Sequence, residues 1–150
     1  MAVMRDRPCV NSNFLVDLGE GDARSAAAGF AEVIFPEFTI GHEDPRKAGP
    51  GKSPIAESAD ATAGNRLVLR RGLIGALDLY GWWNSARHGK APKRRTVTIE
   101  LLSEDHSTVV VTWRFHNAYP VTLSYTPLRA IEGTVVMESV ELAFDSMEMS

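Results

Sequence analysis

The stretch Leu67–Trp83, LVLRRGLIGALDLYGWW, decides the reading of this chain. Leu67 and Leu69 fall on one face of an alternating strand, with Arg66, Val68 and Arg70 on the other. Arg71-Gly72 closes the strand, and an apolar helix is expected from about Gly75 to His88. Arg87 and His88 bring positive charge to its last turn, where it favours the negative end of the helix dipole, and Gly89 stands as the C′ residue. Gly81 within the helix is unfavourable by ~1 kcal/mol against alanine. A close packing contact beside Trp82 and Trp83 would explain it.

Upstream, Asn13–Leu18 alternates, with Phe14, Val16 and Leu18 on one face and Leu15 and Asp17 on the other. Gly19-Glu20-Gly21-Asp22 follows as turn chemistry. Ala28–Phe35 reads as a second strand ending near Pro36. Residues 41–65 then lack apolar periodicity and are rich in Gly, Pro, Ala and Ser, and loops of this length in compact domains are functional or disordered.

Downstream the chain is a run of strands. Thr96–Leu102 sets Val97, Ile99 and Leu101 against Thr96, Thr98 and Glu100, and Ser103–Ser107 reads as a hairpin loop. Thr108–His116 answers with Val109, Val111, Trp113 and Phe115 inward and Thr112, Arg114 and His116 outward. Pro120 is expected to open a separate strand in which Val121, Leu123 and Tyr125 alternate with Thr122 and Ser124. A last strand covers about Gly133–Phe144, its alternation broken near Val135-Val136-Met137. The fold expected is mainly β: an antiparallel β-barrel or two-sheet sandwich with one packed helix (about 75–88) and a long loop (about 41–64). One domain spans residues 1–150, with residues 1–12 as a flexible N-terminal arm.

Composition narrows function by exclusion. A 44% hydrophobic share with 23% charged residues is ordinary for a globular domain. A net charge of −3 gives no global attraction to nucleic acid or anionic membranes. The local basic run Lys90–Arg95 reads as a solvated loop before a strand. Cys9 is the only cysteine, so no intrachain disulfide forms, and synthesis in a cytosol fits. No apolar run reaches a membrane span, and MAVMRDRPC has no apolar core of a secretory signal.

Gly49-Pro50-Gly51-Lys52-Ser53 invites a phosphate-loop reading, but Arg46 stands where the motif needs its first glycine and Pro54 follows Ser53 directly. His42, His88, His106 and His116 are scattered. His42-Glu43-Asp44 offers ligand types without the spacing that fixes a metal. Glu104-Asp105 reads as a turn, and no nucleophile elbow or Cys–His pairing is present. No catalytic role, cofactor or metal is expected. Trp82, Trp83 and Trp113 read as core.

The chain resembles the tail-tube (inner tube) proteins of contractile-tailed phages and phage-like extracellular contractile injection systems. The residues that carry the likeness are Asn13–Asp17, Gly29–Val33, the step Leu69-Arg70-Arg71-Gly72, the aromatic-rich helix around Leu77–Trp83 and the strand Val97–Leu102. Trp113, Asn117, Ala118 and Pro120, with Met137–Ala143, extend it to nearly the whole chain. The resemblance implies a structural subunit of hexameric rings stacked into a hollow tube inside a sheath. Its implied partners are further copies of itself, a sheath protein, baseplate and tube-terminating proteins, and the DNA or protein cargo in the lumen. It implies synthesis in the bacterial cytoplasm, incorporation into a phage tail or injection particle, and no membrane insertion. Loop residues His42, Glu43, Asp44, Arg46 and Lys47 and outward-facing Arg70, Arg114 and His116 are the candidate subunit contacts. A tube-initiating or baseplate-adjacent member of the same family is one alternative, and a small-ligand-binding barrel is a more distant one.

Overall fold

The computed structural model describes residues 1–19, 29–40, 66–88 and 93–150. Their elements are β1 (Phe14–Asp17), β2 (Glu32–Ile34), β3 (Leu67–Gly72), α1 (Asp78–Arg87), β4 (Arg95–Leu102), β5 (Val109–Tyr125), β6 (Met137–Ala143) and β7 (Ser146–Met149). Every pairing is antiparallel, in the order β1-β4-β5-β6-β3-β2, with β7 also on β5. Among the described residues β1 and β2, the two ends of the order, are not paired to each other. The sandwich half of the expectation therefore holds, and the sheet is not closed into a barrel. The long loop at 41–64 lies outside the described residues.

Alternation explains most of the core. Leu67 and Leu69 of β3, Val97 and Ile99 of β4, Phe115 of β5 and Val140 and Leu142 of β6 are buried in one cluster, which Val16 and Leu18 join. Val33 and Phe14 pack against it. Burying such side chains contributes about 1.5–3 kcal/mol each.

The largest departure from the sequence reading is β5, a single strand of 17 residues that runs straight through Pro120. Its first part pairs with β4 and β7 and its second with β6, so one strand serves both sheets. The transfer occurs at Asn117, whose φ of 56° is left-handed, and at a register shift between Pro120 and Thr122. A proline without its N–H is tolerated beside such a bulge, and so it does not break the strand.

The expected facing of β5 also changes. Phe115 is buried and Trp113 partly so, but Val109 is exposed, while Val110 and Thr112 on the other face are buried. The N-terminal segment lies there: Val3 N–H donates to the Val110 carbonyl at 2.8 Å, and Arg5 pairs with Glu104 at 2.6 Å. Thr112 is bonded in both directions to Ser150. Leu102 turns to a buried position after a register shift at Leu101. Leu102 and Val110 lie outside the main cluster, so this end of the sheet is covered on both faces. β7, unread in the sequence, is an edge strand with only Met147 packed on the core.

α1 starts three residues later than expected because Gly75 holds φ 85°, outside the helical region. It ends at Arg87, with His88 as cap; Gly89 lies outside the described residues. Leu79 and Trp82 are its buried residues. Trp83 is only half-buried, stacked under Arg87 with its indole N–H toward the Val121 carbonyl, so of the two tryptophans only Trp82 is core. Arg95, expected in a solvated loop, stacks on Trp82 at 4.4 Å. No close contact explains Gly81, since a Cβ there would meet nothing within 4 Å. Gly81→Ala should accordingly stabilise the isolated subunit by roughly 0.5–1 kcal/mol, read as a raised urea midpoint; an unchanged or lower midpoint would contradict the open site.

Candidate assembly surface

The outward rows of the two sheets carry the residues singled out for subunit contact. On β3, Arg70 sits opposite Ser139 of β6 and Glu32 of β2. Its Nε donates to Ser139 Oγ at 3.0 Å, and its Nη1 lies 3.2 Å from Glu32 Oε1. On β5, Arg114 and His116 share one face two residues apart, and β7 answers both. Arg114 Nη1 donates to Ser150 Oγ at 3.0 Å, and His116 Nε2 lies 3.1 Å from Glu148 Oε1. The fold thus brings Arg114 and His116 together and places Arg70 on the other sheet. His42, Glu43, Asp44, Arg46 and Lys47 lie outside the described residues. Exposed pairs of this kind contribute ~0–1 kcal/mol, so their polar groups can exchange partners at little cost when another surface arrives.

The strongest electrostatic feature is one the sequence reading passed over. Arg71 points inward and is buried with Glu138, its register partner on β6. Arg71 Nε donates to Glu138 Oε1 at 3.0 Å, and the guanidinium also pairs with Asp78 in the first turn of α1. Tyr125 Oη donates to Glu138 Oε2 at 2.8 Å, and Phe30 lies under the guanidinium at 5.5 Å. Burial alone would pull the Arg71 pKa down, but Asp78 and Glu138 outweigh it and hold the guanidinium above its ordinary value. This network ties β3, β6, the end of β5 and the start of α1 together, and Asp78 serves it in place of a side-chain cap for the helix. The signal was present in the alternation: if Leu67 and Leu69 face inward, so does Arg71, and if Val140 and Leu142 do, so does Glu138.

Burial and the Glu138 contact push Tyr125 up to about 12. A raised folded value means its contribution is complete below the ordinary tyrosine pKa of 10.0 and is lost as the pH rises through about 12. Alkaline unfolding of Tyr125→Phe should lack that step; an identical pH profile for variant and parent would remove Tyr125 from the network.

At the far end of β4, Asp105 accepts from Ser103 Oγ and from Ser107 Oγ and N–H, which holds its carboxyl down at about 2. These bonds close the turn and leave no free base. Among the described residues no group of three or more His, Cys, Asp or Glu side chains is arranged to hold a metal ion, and no helix is long and apolar enough to cross a membrane. Between the unpaired edges β1 and β2 an apolar cleft of about 640 Å³ opens, lined by Phe14, Val33, Phe35, Ile99 and Trp113 among others. The polar groups named on these surfaces are committed to cross-strand pairs and to a structural network, and among the described residues the sheet edges beside them are open. This is the make-up of a structural, assembly-forming subunit.

The comparisons with known proteins agree. The family described as T4-like virus tail tube protein gp19 matches residues 10–148, and the chain belongs to that family. It is a structural tube subunit. Its fold is similar to a chain of the PVC sheath–tube complex of an extracellular contractile injection system in the extended state, at 22% identity and a TM-score of 0.70 over 97% of this chain and 93% of that one. It is similar to a chain of the anti-feeding prophage tube-terminating cap, at 19% identity and 0.70 over 100% and 95%. It is also similar to Hcp1 from Flavobacterium johnsoniae, at 12% identity and 0.55 over 92% and 94%. No curated protein sequence matches the chain.

Proposed function

We infer that copies of this chain close into hexameric rings that stack as the inner tube of a contractile phage tail or injection system. The observation that carries this reading is the family match across residues 10–148. The tube is a passive conduit and rigid piston for DNA or protein cargo, without a catalytic step of its own. Its partners are further copies of the chain, a surrounding sheath, and the baseplate and terminating proteins at its ends. The edges β1 and β2, unpaired among the described residues, support the assembly, because an open edge in a monomer is a template for pairing with another chain. A head-to-tail contact closes into a ring when its rotation closes, and stacking is its open-ended counterpart.

Negative-stain microscopy of the purified chain tests this. Rings or tubes are expected, and a protein that stays monomeric at high concentration would instead favour a ligand-binding role for the β1–β2 cleft. A tube-initiating or baseplate-adjacent copy differs in number, so one ring's worth of copies per particle by quantitative mass spectrometry would move the chain to that position. The long loop at 41–64 is the proposed ring-to-ring contact. Deleting residues 45–61 should leave a folded subunit that forms rings but few or short tubes; tubes of full length would remove the assignment.

A further inference from the structure

The described residues expose two apolar surfaces, which leave opposite ends of β3. The first follows its C-terminal end. Leu73 N–H donates to the Val136 carbonyl, which binds the segment before α1 to the turn between β5 and β6. That junction presents Ile74, Leu77, Tyr80, Leu128, Ile131 and Val135, with Ile131 97% and Leu128 84% exposed. All six are at least 42% exposed, and apolar side chains left open at one junction mark an interaction site. The turn is closed by Glu132 N–H on the Arg129 carbonyl, with an Arg129–Glu132 ion pair at 3.1 Å across it.

The second surface starts at β2. Ile34 pairs with Val68 near the N-terminal end of β3, whereas Gly72 ends that strand opposite Met137. The spacing of strand residues puts the two surfaces on the order of 15 Å apart. Beyond Ile34, which lines the 640 Å³ cleft between β1 and β2, the same segment exposes Phe38 and Ile40, the latter 94% exposed. One surface is an apolar turn beside the helix start, and the other an apolar segment leading away from a cleft. A two-fold contact needs a single self-complementary patch, whereas two different patches on one chain suit a head-to-tail contact, in which each copy offers one and receives the other.

We propose that the subunit-to-subunit contact within a ring is this apolar pair: the Leu77–Leu128–Ile131 surface of one copy seated on the Ile34–Phe38–Ile40 surface of the next. The occupant is a second copy of this chain. The assignment rests on the ring-forming reading above and specifies its interface.

The test uses the full chain with Ile131→Glu or Ile40→Glu, both at positions almost free of internal packing, with Leu128→Glu and Ile34→Glu as second variants should either fail to fold. Light scattering after gel filtration gives mass, microscopy gives rings, and circular dichroism confirms folding. Each variant alone is expected to be a folded monomer under conditions where the parent forms rings. Mixed one to one, the two variants should double in mass and stop there. The Ile131→Glu copy still has a working Ile34–Ile40 surface and the Ile40→Glu copy a working Leu128–Ile131 surface, so a single contact forms and the ring cannot close. Rings from either variant alone, or a mixture that stays monomeric while the parent forms rings, overturns this interface and leaves the tube reading intact. A parent chain that never forms rings overturns both.

Discussion

Arg71→Ala should destabilise the subunit by about 3–5 kcal/mol, because it leaves Glu138 as an uncompensated buried carboxylate. Against a total stability of ~5–15 kcal/mol for a domain, that loss lowers the melting temperature by roughly 10–20 °C at this chain length. The size follows from burial. The Arg71 and Glu138 side chains are only 1% and 2% exposed, so water cannot take over when the partner is removed. The exposed Arg70–Glu32 pair one residue away is the internal control, and Arg70→Ala should cost ~0–1 kcal/mol. The double change Arg71→Met with Glu138→Met should recover most of the loss, since an apolar pair of similar volume needs no compensation. Thermal unfolding of the three variants decides the matter. If Arg71→Ala melts within a few degrees of the parent, or the double variant is no better than the single, the network does not hold β3, β6 and the helix start together.

Trp82→Ala should have the second large effect, about 3–5 kcal/mol, with a structural consequence beyond the lost packing. α1 has ten residues, short of the ~12–15 at which an isolated helix becomes even marginally stable in water. It has no side-chain N-cap, and Gly81 lies within it. The helix therefore persists because Leu79 and Trp82 are buried, with the Trp82 indole N–H on the Lys93 carbonyl at 2.8 Å and Arg95 stacked on its ring. Removing the indole should reduce the helical signal in far-UV circular dichroism before the global transition. Trp82→Phe keeps much of the packing and leaves the Lys93 carbonyl without its donor, at ~1–3 kcal/mol. Trp83→Ala, at a half-buried position, should cost less than Trp82→Ala; the reverse order would mean that the helix docks through its other tryptophan.

The two predictions mark where sequence reading succeeded and where it stopped. Trp82 reads as core because large aromatics in a β domain of this size most often build it, and the structure agrees. Its neighbour Trp83 received the same reading and is half-buried, because adjacent residues on a helix lie about 100° apart and only one can face the core. Arg71 was within reach by alternation alone, yet a lone arginine at the end of a strand gives no sign of being buried until its carboxylate partner is found 67 residues away. Of the candidate contact residues, Arg114 and His116 were correctly placed on one outward row, but their β7 partners could not be foreseen from SMEM, a short segment with a single inward side chain.

Residue polarity alone sets the strand faces at Leu67–Arg70, Val97–Ile99 and Val140–Leu142 and the middle of α1. In these segments a period of two, or of 3.6, is written directly in residue polarity. Tertiary structure alone decided that β5 passes unbroken through Pro120 from one sheet to the other, that Val110 and Thr112 are covered, and that among the described residues β1 and β2 do not pair. Each of these depends on which distant segment lies against a strand. Alternation records that a face is buried, but the identity of what buries it resides in pairings between residues tens of positions apart.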